Sequence, residues 1–339
     1  MKRLIKTILM ITLVSTILLS TMSFMFSDEE RFTSASWSNT YQTLSDLQSA
    51  SDIIIKGYLI SSIPEQRHDL VFSKELVGIS QVIKGTIKSN NVEILQTGGN
   101  LNGLVTPPIE SAPLLRKNTE YLMYLQYVKD EQYGEYYLIT GGDQGLFEMS
   151  KDGELVTYAD VSRSLINGGL TKEIMRTSTD TPMYANYWLS NPRVWLSASI
   201  VTNYSASVNA KVVSAMYSWN DIGTIAYERE LNSTSANVLV FMNDYGNTGW
   251  DGQSVLDASG GVYSFVHISL NNRGQAGDDL TFWQAVACHE FGHGLGLMHN
   301  DWTTVPSVMR DGTPAYHPNP GYYTPQQADR NAISGRYWQ

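Results

Sequence analysis

Cysteine is all but missing from this chain of 339 residues, which has one, Cys288. No intramolecular disulfide is therefore possible, and the fold must be held by apolar burial and by any metal ions its side chains can ligate. Positive charge is scarce as well, with 23 Lys and Arg against 33 Asp and Glu and a net charge of −10. That balance excludes the basic footprint of a nucleic-acid binder. No segment repeats at a fixed period, which excludes solenoids and propellers. What is present is a chain that is 42% hydrophobic, long enough for two domains with a core each.

The long apolar run is confined to the N-terminus. Lys2, Arg3 and Lys6 precede an uncharged stretch from Thr7 to Phe26 made mostly of Leu, Ile, Met and Phe, the pattern of an export signal over residues 1–27. A run of about 20 uncharged residues is also just long enough for a retained membrane anchor. Interruptions by Ser, Thr and Met, and the small residues Thr21 and Ser23, favour cleavage. The chain is expected to be secreted, with attachment to the outer face of the membrane through this segment as the alternative.

Beyond it, short runs rich in Ile, Val, Leu and Tyr, such as DIIIKGYLI, NVEILQT and EYLMYLQYV, alternate with Gly, Asn and Asp turns. This predicts an all-β, small-barrel-like domain over residues 28–160. Polar residues with paired glycines over 161–186 read as a linker. Residues 187–339 mix strands with helices, predicting an α+β domain with a twisted mixed sheet, an active-site helix and a C-terminal helix. Its strands are expected at VWLSASIV (194–201), TIAYERE, NVLVFM and VYSFVHISL. A helix over 205–219 sets Val208, Val212, Met216 and Trp219 on one apolar stripe. A further helix is expected to start at a capping box, Thr281 to Gln284, and the last one at Thr324 with Pro325 behind it.

Three of the six histidines fall in HEFGHGLGLMHN, residues 289–300. His289 and His293 are one helical turn apart on one face and can share an ion. Gly294 and Gly296 then break the helix, Gly296 being free to take the left-handed conformation of a sharp turn, and the chain brings His299 back to the pair. Three neutral imidazoles with an open fourth position describe a catalytic zinc site. Glu290, beside the first histidine, is the carboxylate that could take a proton from water and deliver it to a leaving amine. A chance match to these five fixed positions is expected on the order of 10⁻⁵ times in such a chain. No glutamate follows Glu290, so a third ligand of the downstream-glutamate kind is ruled out. Asp301 is a conceivable ligand, but His299 has the required spacing.

HEFGHGLGLMHN resembles the extended zinc motif of the metzincin metallopeptidases. Met309, ten residues past His299, is similar to the methionine turn that lies beneath the zinc in that family. The resemblance covers roughly residues 187–339 and implies a zinc endopeptidase acting on protein or peptide, with one catalytic Zn2+ on His289, His293 and His299. It also implies an edge strand of the sheet that pairs with extended substrate, for which residues 262–272 are the candidate. The short domain and the C-terminal TPQQADRNAISGRYW look most like a matrixin. Asn300 departs from that pattern, since matrixins usually carry Ser there, adamalysins Asp and astacins Glu. Asp311, two residues past Met309, stands where astacins and serralysins place a tyrosine ligand. The preceding segment resembles, more diffusely, the small-barrel domains found ahead of some bacterial secreted peptidases. It has no cysteine, so cysteine-based latency cannot operate.

The other candidates carry less. His267 is either a second zinc ligand or an ordinary strand histidine, and no neighbouring HxD pattern supports the first. Asp244, Asn247, Asp251, Asp278 and Asp279 lie in Gly-rich loops and are candidate Ca2+ ligands, set against the commoner role of turn formers. His68 and His317 are expected at the surface, and Cys288 in the core. Tyr316, Tyr322 and Tyr323 are candidate pocket-lining residues. The competing reading of the whole is an extracellular binding protein whose zinc site is vestigial or structural.

Overall fold

The computed structural model describes residues 29–150, 152, 154–157, 180–202, 204–273, 279–301, 305–318 and 321–337. The export segment, most of the expected linker and Asp278 lie outside the described residues. Among the described residues, no helix is long and apolar enough to cross a membrane.

The order begins with β1 (Glu29–Trp37) and α1 (Leu44–Ala50), capped by the Thr43 hydroxyl. There follow β2 (Ile53–Arg67), β3 (Leu70–Lys84), β4 (Asn91–Thr97), β5 (Gly99–Leu101), β6 (Leu104–Thr106), β7 (Glu120–Asp130), β8 (Gly134–Ile139), β9 (Leu146–Met149) and β10 (Leu155–Thr157). Alternate residues Tyr121, Met123 and Leu125 of β7 are buried, the period-two pattern of a half-buried strand. Seven of these strands run in the order β10-β9-β7-β2-β3-β4-β8, and β7 also pairs with β8. Five strands therefore close on themselves around Ile55, Val77, Ile94, Met123 and Leu125. The β4–β8 pairing is parallel and the other four are antiparallel, the connectivity of a small Greek-key barrel of OB type.

The rest of the chain is β11 (Arg193–Leu196), α2 (Ser199–Thr202), α3 (Ala206–Ser218), β12 (Glu228–Glu230), β13 (Val238–Asn243), β14 (Trp250–Ser259), β15 (Val262–Asn271), α4 (Leu280–Gly294) and α5 (Gln327–Tyr337). Its mixed six-stranded sheet runs β1-β14-β15-β13-β11-β12. The stripe on α3 packs with Trp283, Val286 and Phe291 of α4 and with Val240, Leu256 and Ile268 of the sheet in one core. The molecule is thus a mixture of two main sheets and a few helices, and residues 29–37 lie in the second sheet rather than with the barrel strands that follow them.

Several local expectations are corrected. The strand expected over 194–201 stops at Leu196, and Ser199–Thr202 is helical, because a short apolar run does not distinguish the two states. Asp279, not Thr281, caps α4: its Oδ1 accepts from Thr281 N at 2.9 Å and Phe282 N at 3.1 Å. The Thr281 hydroxyl itself donates to that carboxylate at 2.6 Å. The last helix begins at Gln327, past Thr324 and Pro325. Strand β15 is not an edge: it pairs with β13 on one side and β14 on the other. The strand next to the cleft is β14, whose sequence WDGQSVLDAS has no clean apolar alternation, and β1 covers its outer side.

Glu75 on β3 is buried, with Ser62 Oγ donating at 3.1 Å, and burial pushes its carboxyl up to about 7. The folded protein holds that proton more tightly than the unfolded chain does. The stability it contributes is therefore complete below about pH 4.5 and lost as pH rises through 7. Glu75→Gln should raise the melting temperature at pH 8 and change it little at pH 4, as read by thermal melts at both values.

Candidate metal centre and active site

The centre is built on α4, and three side-chain donors anchor that helix by its carbonyls. Trp219 Nε1 donates to Cys288 O at 3.0 Å, Tyr227 Oη to Phe291 O at 2.5 Å, and Trp188 Nε1 to Gly294 O at 2.7 Å. After Gly294 the chain reverses, with Gly296 at φ +95° and Leu297 N bonded to Gly292 O at 3.1 Å. The positive φ is one that a side chain would strain. The reversal returns His299 to the face that carries His289 and His293.

The three Nε2 atoms lie 2.9, 3.2 and 3.3 Å apart. Two Nδ1 atoms have carbonyl acceptors, His289 to Val308 O at 2.9 Å and His293 to Leu297 O at 2.8 Å, while His299 Nδ1 lies 3.1 Å from Asp311 Oδ1. With the first two Nδ1 protons donated there, the Nε2 lone pairs of His289 and His293 face each other beside His299 Nε2, an arrangement that suits a shared cation. Four ligands tetrahedrally placed about 2.05 Å from zinc stand about 3.3 Å apart, so the donor set fits that ion. Burial and the neighbouring imidazoles hold His289 and His299 well below the usual histidine range, and burial brings His293 down to about 4. Neutral ligands are the result.

Glu290 is fully buried beside them. Burial pushes its carboxyl up to about 7, against two hydroxyl donors that pull it down. Ser254 Oγ of β14 donates to Oε2 at 2.7 Å, and Ser36 Oγ of β1 donates to Oε1. Tyr316 is buried and its ring stacks on His289 with centroids 5.2 Å apart. Tyr322 packs against the core, and Tyr323 is exposed. Asp143 and Asp311 are buried, and burial with repulsion from neighbouring carboxylates raises both, while burial raises Asp301.

Met309 lies beneath the histidines on a loop held by Asp329 of α5. That carboxylate accepts from Ser307 Oγ at 2.5 Å, Thr181 Oγ1 at 2.6 Å and Val308 N at 3.0 Å. Asn300 belongs to the same brace: its N bonds Met309 O at 2.6 Å and its Nδ2 donates to Thr181 Oγ1 at 2.9 Å. The position that departs from the motif is a tie between the third histidine and the methionine loop.

The remaining candidates are placed elsewhere. His267 pairs with Asp69 of the barrel at 2.8 Å, and among the described residues no group of metal-spaced ligands includes it. His68 is exposed, whereas His317 is buried rather than at the surface, its Nε2 3.1 Å from Thr281 Oγ1 and its ring edge-on to Phe282. The first turn of α4 docks there and covers it. Cys288 is buried, and burial pushes its thiol well up. Of the calcium candidates, Asp244 pairs with Arg273 at 3.0 Å, Asp251 accepts from Ser38 at 2.8 Å, and Asp279 is the α4 cap. The only groups of metal-spaced ligands among the described residues are the histidine triad and His299 with Asp301 and Asp311. Ser36, Ser254 and Asp311 were missed in the sequence because they reach the site from separate elements, Ser36 from more than 250 positions away.

The glycine of HEFGH, Gly292, has its own packing reason. A Cβ on Gly292 would run into the Met309 sulfur and approach Trp219 Cζ2 at 2.9 Å, and both neighbours are fully buried. Gly292→Ala should cost about 1–3 kcal/mol by overpacking. Adding Met309→Ala should return part of that loss, and urea denaturation of the single and double variants reads the coupling.

No known family profile matches the chain. It is similar to a hatching enzyme of Paracentrotus lividus, 27% identical over 159 residues. The match covers 44% of this chain and 25% of that relative, so the chain spans about a quarter of the relative's length. Among solved structures it is similar to myroilysin, at 14% identity and a TM-score of 0.29, over 49% of this chain and 98% of the other. A likeness that slight establishes no common architecture.

Proposed function

We propose that the chain is a secreted zinc-dependent endopeptidase of metzincin type, nearest the matrixins, with His289, His293 and His299 as ligands and Glu290 as general base and acid. The observation that carries this reading is the approach of three Nε2 atoms to within 3.3 Å of one another, one residue from a buried carboxylate. Similarity to a hatching enzyme supports it. The matrixin assignment rests on the short domain and the C-terminal TPQQADRNAISGRYW, and Asp311 stands where astacins and serralysins carry a tyrosine ligand. The barrel strands within residues 28–160 and the segment 187–339 are proposed as separate domains, the first all-β and the second holding the chemistry, with β1 (Glu29–Trp37) added to the sheet of the second.

A zinc ion at this centre would supply a Lewis acid that polarises a peptide carbonyl and acidifies water. The protein does the rest. Val308 O and Leu297 O fix the orientations of His289 and His293. Glu290 takes the proton from the attacking water and passes it to the leaving amine, a shuttle worth about 10²–10⁴ in rate. Ser254 holds one oxygen of that carboxylate in place, and the buried surroundings exclude competing water. Substrate is protein or peptide; calcium has no assigned place.

Glu290→Gln should keep one zinc per chain by elemental analysis and lose at least about 10²-fold in casein hydrolysis, assayed before and after limited proteolysis. His299→Ala should lose the zinc itself. Full activity in Glu290→Gln would overturn the reading.

A further inference from the structure

We infer that residues 29–37 occupy the peptide-binding edge of the cleft as an intramolecular strand, so that the folded chain is latent until this strand leaves. The inference rests on the peptidase reading and names what regulates that site.

Without β1, the second sheet would end at β14, with a row of backbone donors and acceptors open beside Glu290. An extended peptide can add to such an edge. Here β1 takes that place over nine residues, antiparallel, from Glu29 opposite Ser259 to Trp37 opposite Trp250. At its far end the strand is gripped from the other wall: Trp37 N donates to Asp311 O at 3.0 Å and pairs in parallel with Gly312, just past Met309. The segment therefore threads between the sheet edge and the methionine loop, as a substrate must to reach the histidines.

Its side chains act on the chemistry. Ser36, opposite Gly252, donates to Glu290 Oε1 while Ser254 holds Oε2, so both carboxylate oxygens are already engaged. Ser38 donates to Asp251 at 2.8 Å. On the reverse face, Ala35 and Trp37 enter an apolar cluster with Phe72, Tyr136 and Trp250, and Glu110 N donates to Thr33 O at 3.0 Å. The barrel side thus clamps the strand from behind. Glu290, His289 and His293 have no solvent exposure under this cover.

A reversible lock tests this in the full chain. Arg31 and Asp257 face each other across β1 and β14 near the surface, well along the strand from Glu290. The double variant Arg31→Cys/Asp257→Cys can tie the strand down, because directly opposed residues have Cα spacings suited to a disulfide. A specific protease site inserted after the exposed Asn39 then allows the strand to be cut free. Two readouts are taken on the zinc-loaded, cut protein: hydrolysis of a fluorogenic peptide, and binding of a labelled peptide with the sequence of residues 29–38.

Oxidised protein should show neither. Reduction should restore peptide binding and raise hydrolysis by about 100-fold, since a tethered strand competes at roughly millimolar effective concentration. Hydrolysis or peptide binding by the oxidised form at the reduced rate would overturn the inference. Peptide binding after reduction without any hydrolysis would support the strand's seat and overturn the peptidase reading instead.

Discussion

Three imidazole Nε2 atoms lie within 3.3 Å of one another, and much of this structure serves to enforce that approach. Two rings are held from behind by carbonyl acceptors, Val308 on the methionine loop and Leu297 in the turn after α4, and Asp311 beyond Met309 lies 3.1 Å from the third. Those elements are tied in turn. Asp329 on the last helix gathers Ser307, Thr181 and Val308, while Trp219, Tyr227 and Trp188 anchor α4 by its carbonyls. Burial keeps the rings neutral, the state that metal ligation needs.

The barrel is joined to the second sheet through its turns. Between β2 and β3, the buried Arg67 donates to Tyr245 O at 2.9 Å and lies 4.0 Å from the Tyr133 ring. Asp69 reaches His267 and Asn243. Between β7 and β8, Tyr133 donates to Asp244 O at 3.0 Å, and Arg273 bridges Asp130 and Asp244. Asp130 is buried, so leaving its carboxylate without Arg273 would be costly. The polar loops once weighed as calcium ligands are thus part of the seam between the two sheets, and β1 runs through the same seam to Glu290.

The sequence made the histidine-bearing helix legible because its information is local. An i, i+4 pair on one face, a glycine break and a third histidine at short range are settled within a dozen residues, and the apolar stripe of α3 follows the same period-3.6 logic. The barrel strands were legible by alternation and turn residues. Short or polar strands were not. Strand β14 has Gly, Gln, Ser and Asp at buried positions, and the run at 194–201 satisfies helix and strand patterns equally.

By itself, then, the amino-acid order determined a histidine trio at metal-ligand spacing, a carboxylate beside it, and which long segments are strand or helix, since each depends on neighbours along the chain. Only the tertiary structure decided that Ser36 and Ser254 converge on Glu290, that Asp311 lies against His299, and that Asn300 braces the methionine loop. It also decided that β14 rather than β15 borders the cleft, and that the chain's own residues 29–37 lie on it. Those outcomes depend on strand order and register, which join residues more than 200 positions apart and leave no periodic trace in either partner's sequence.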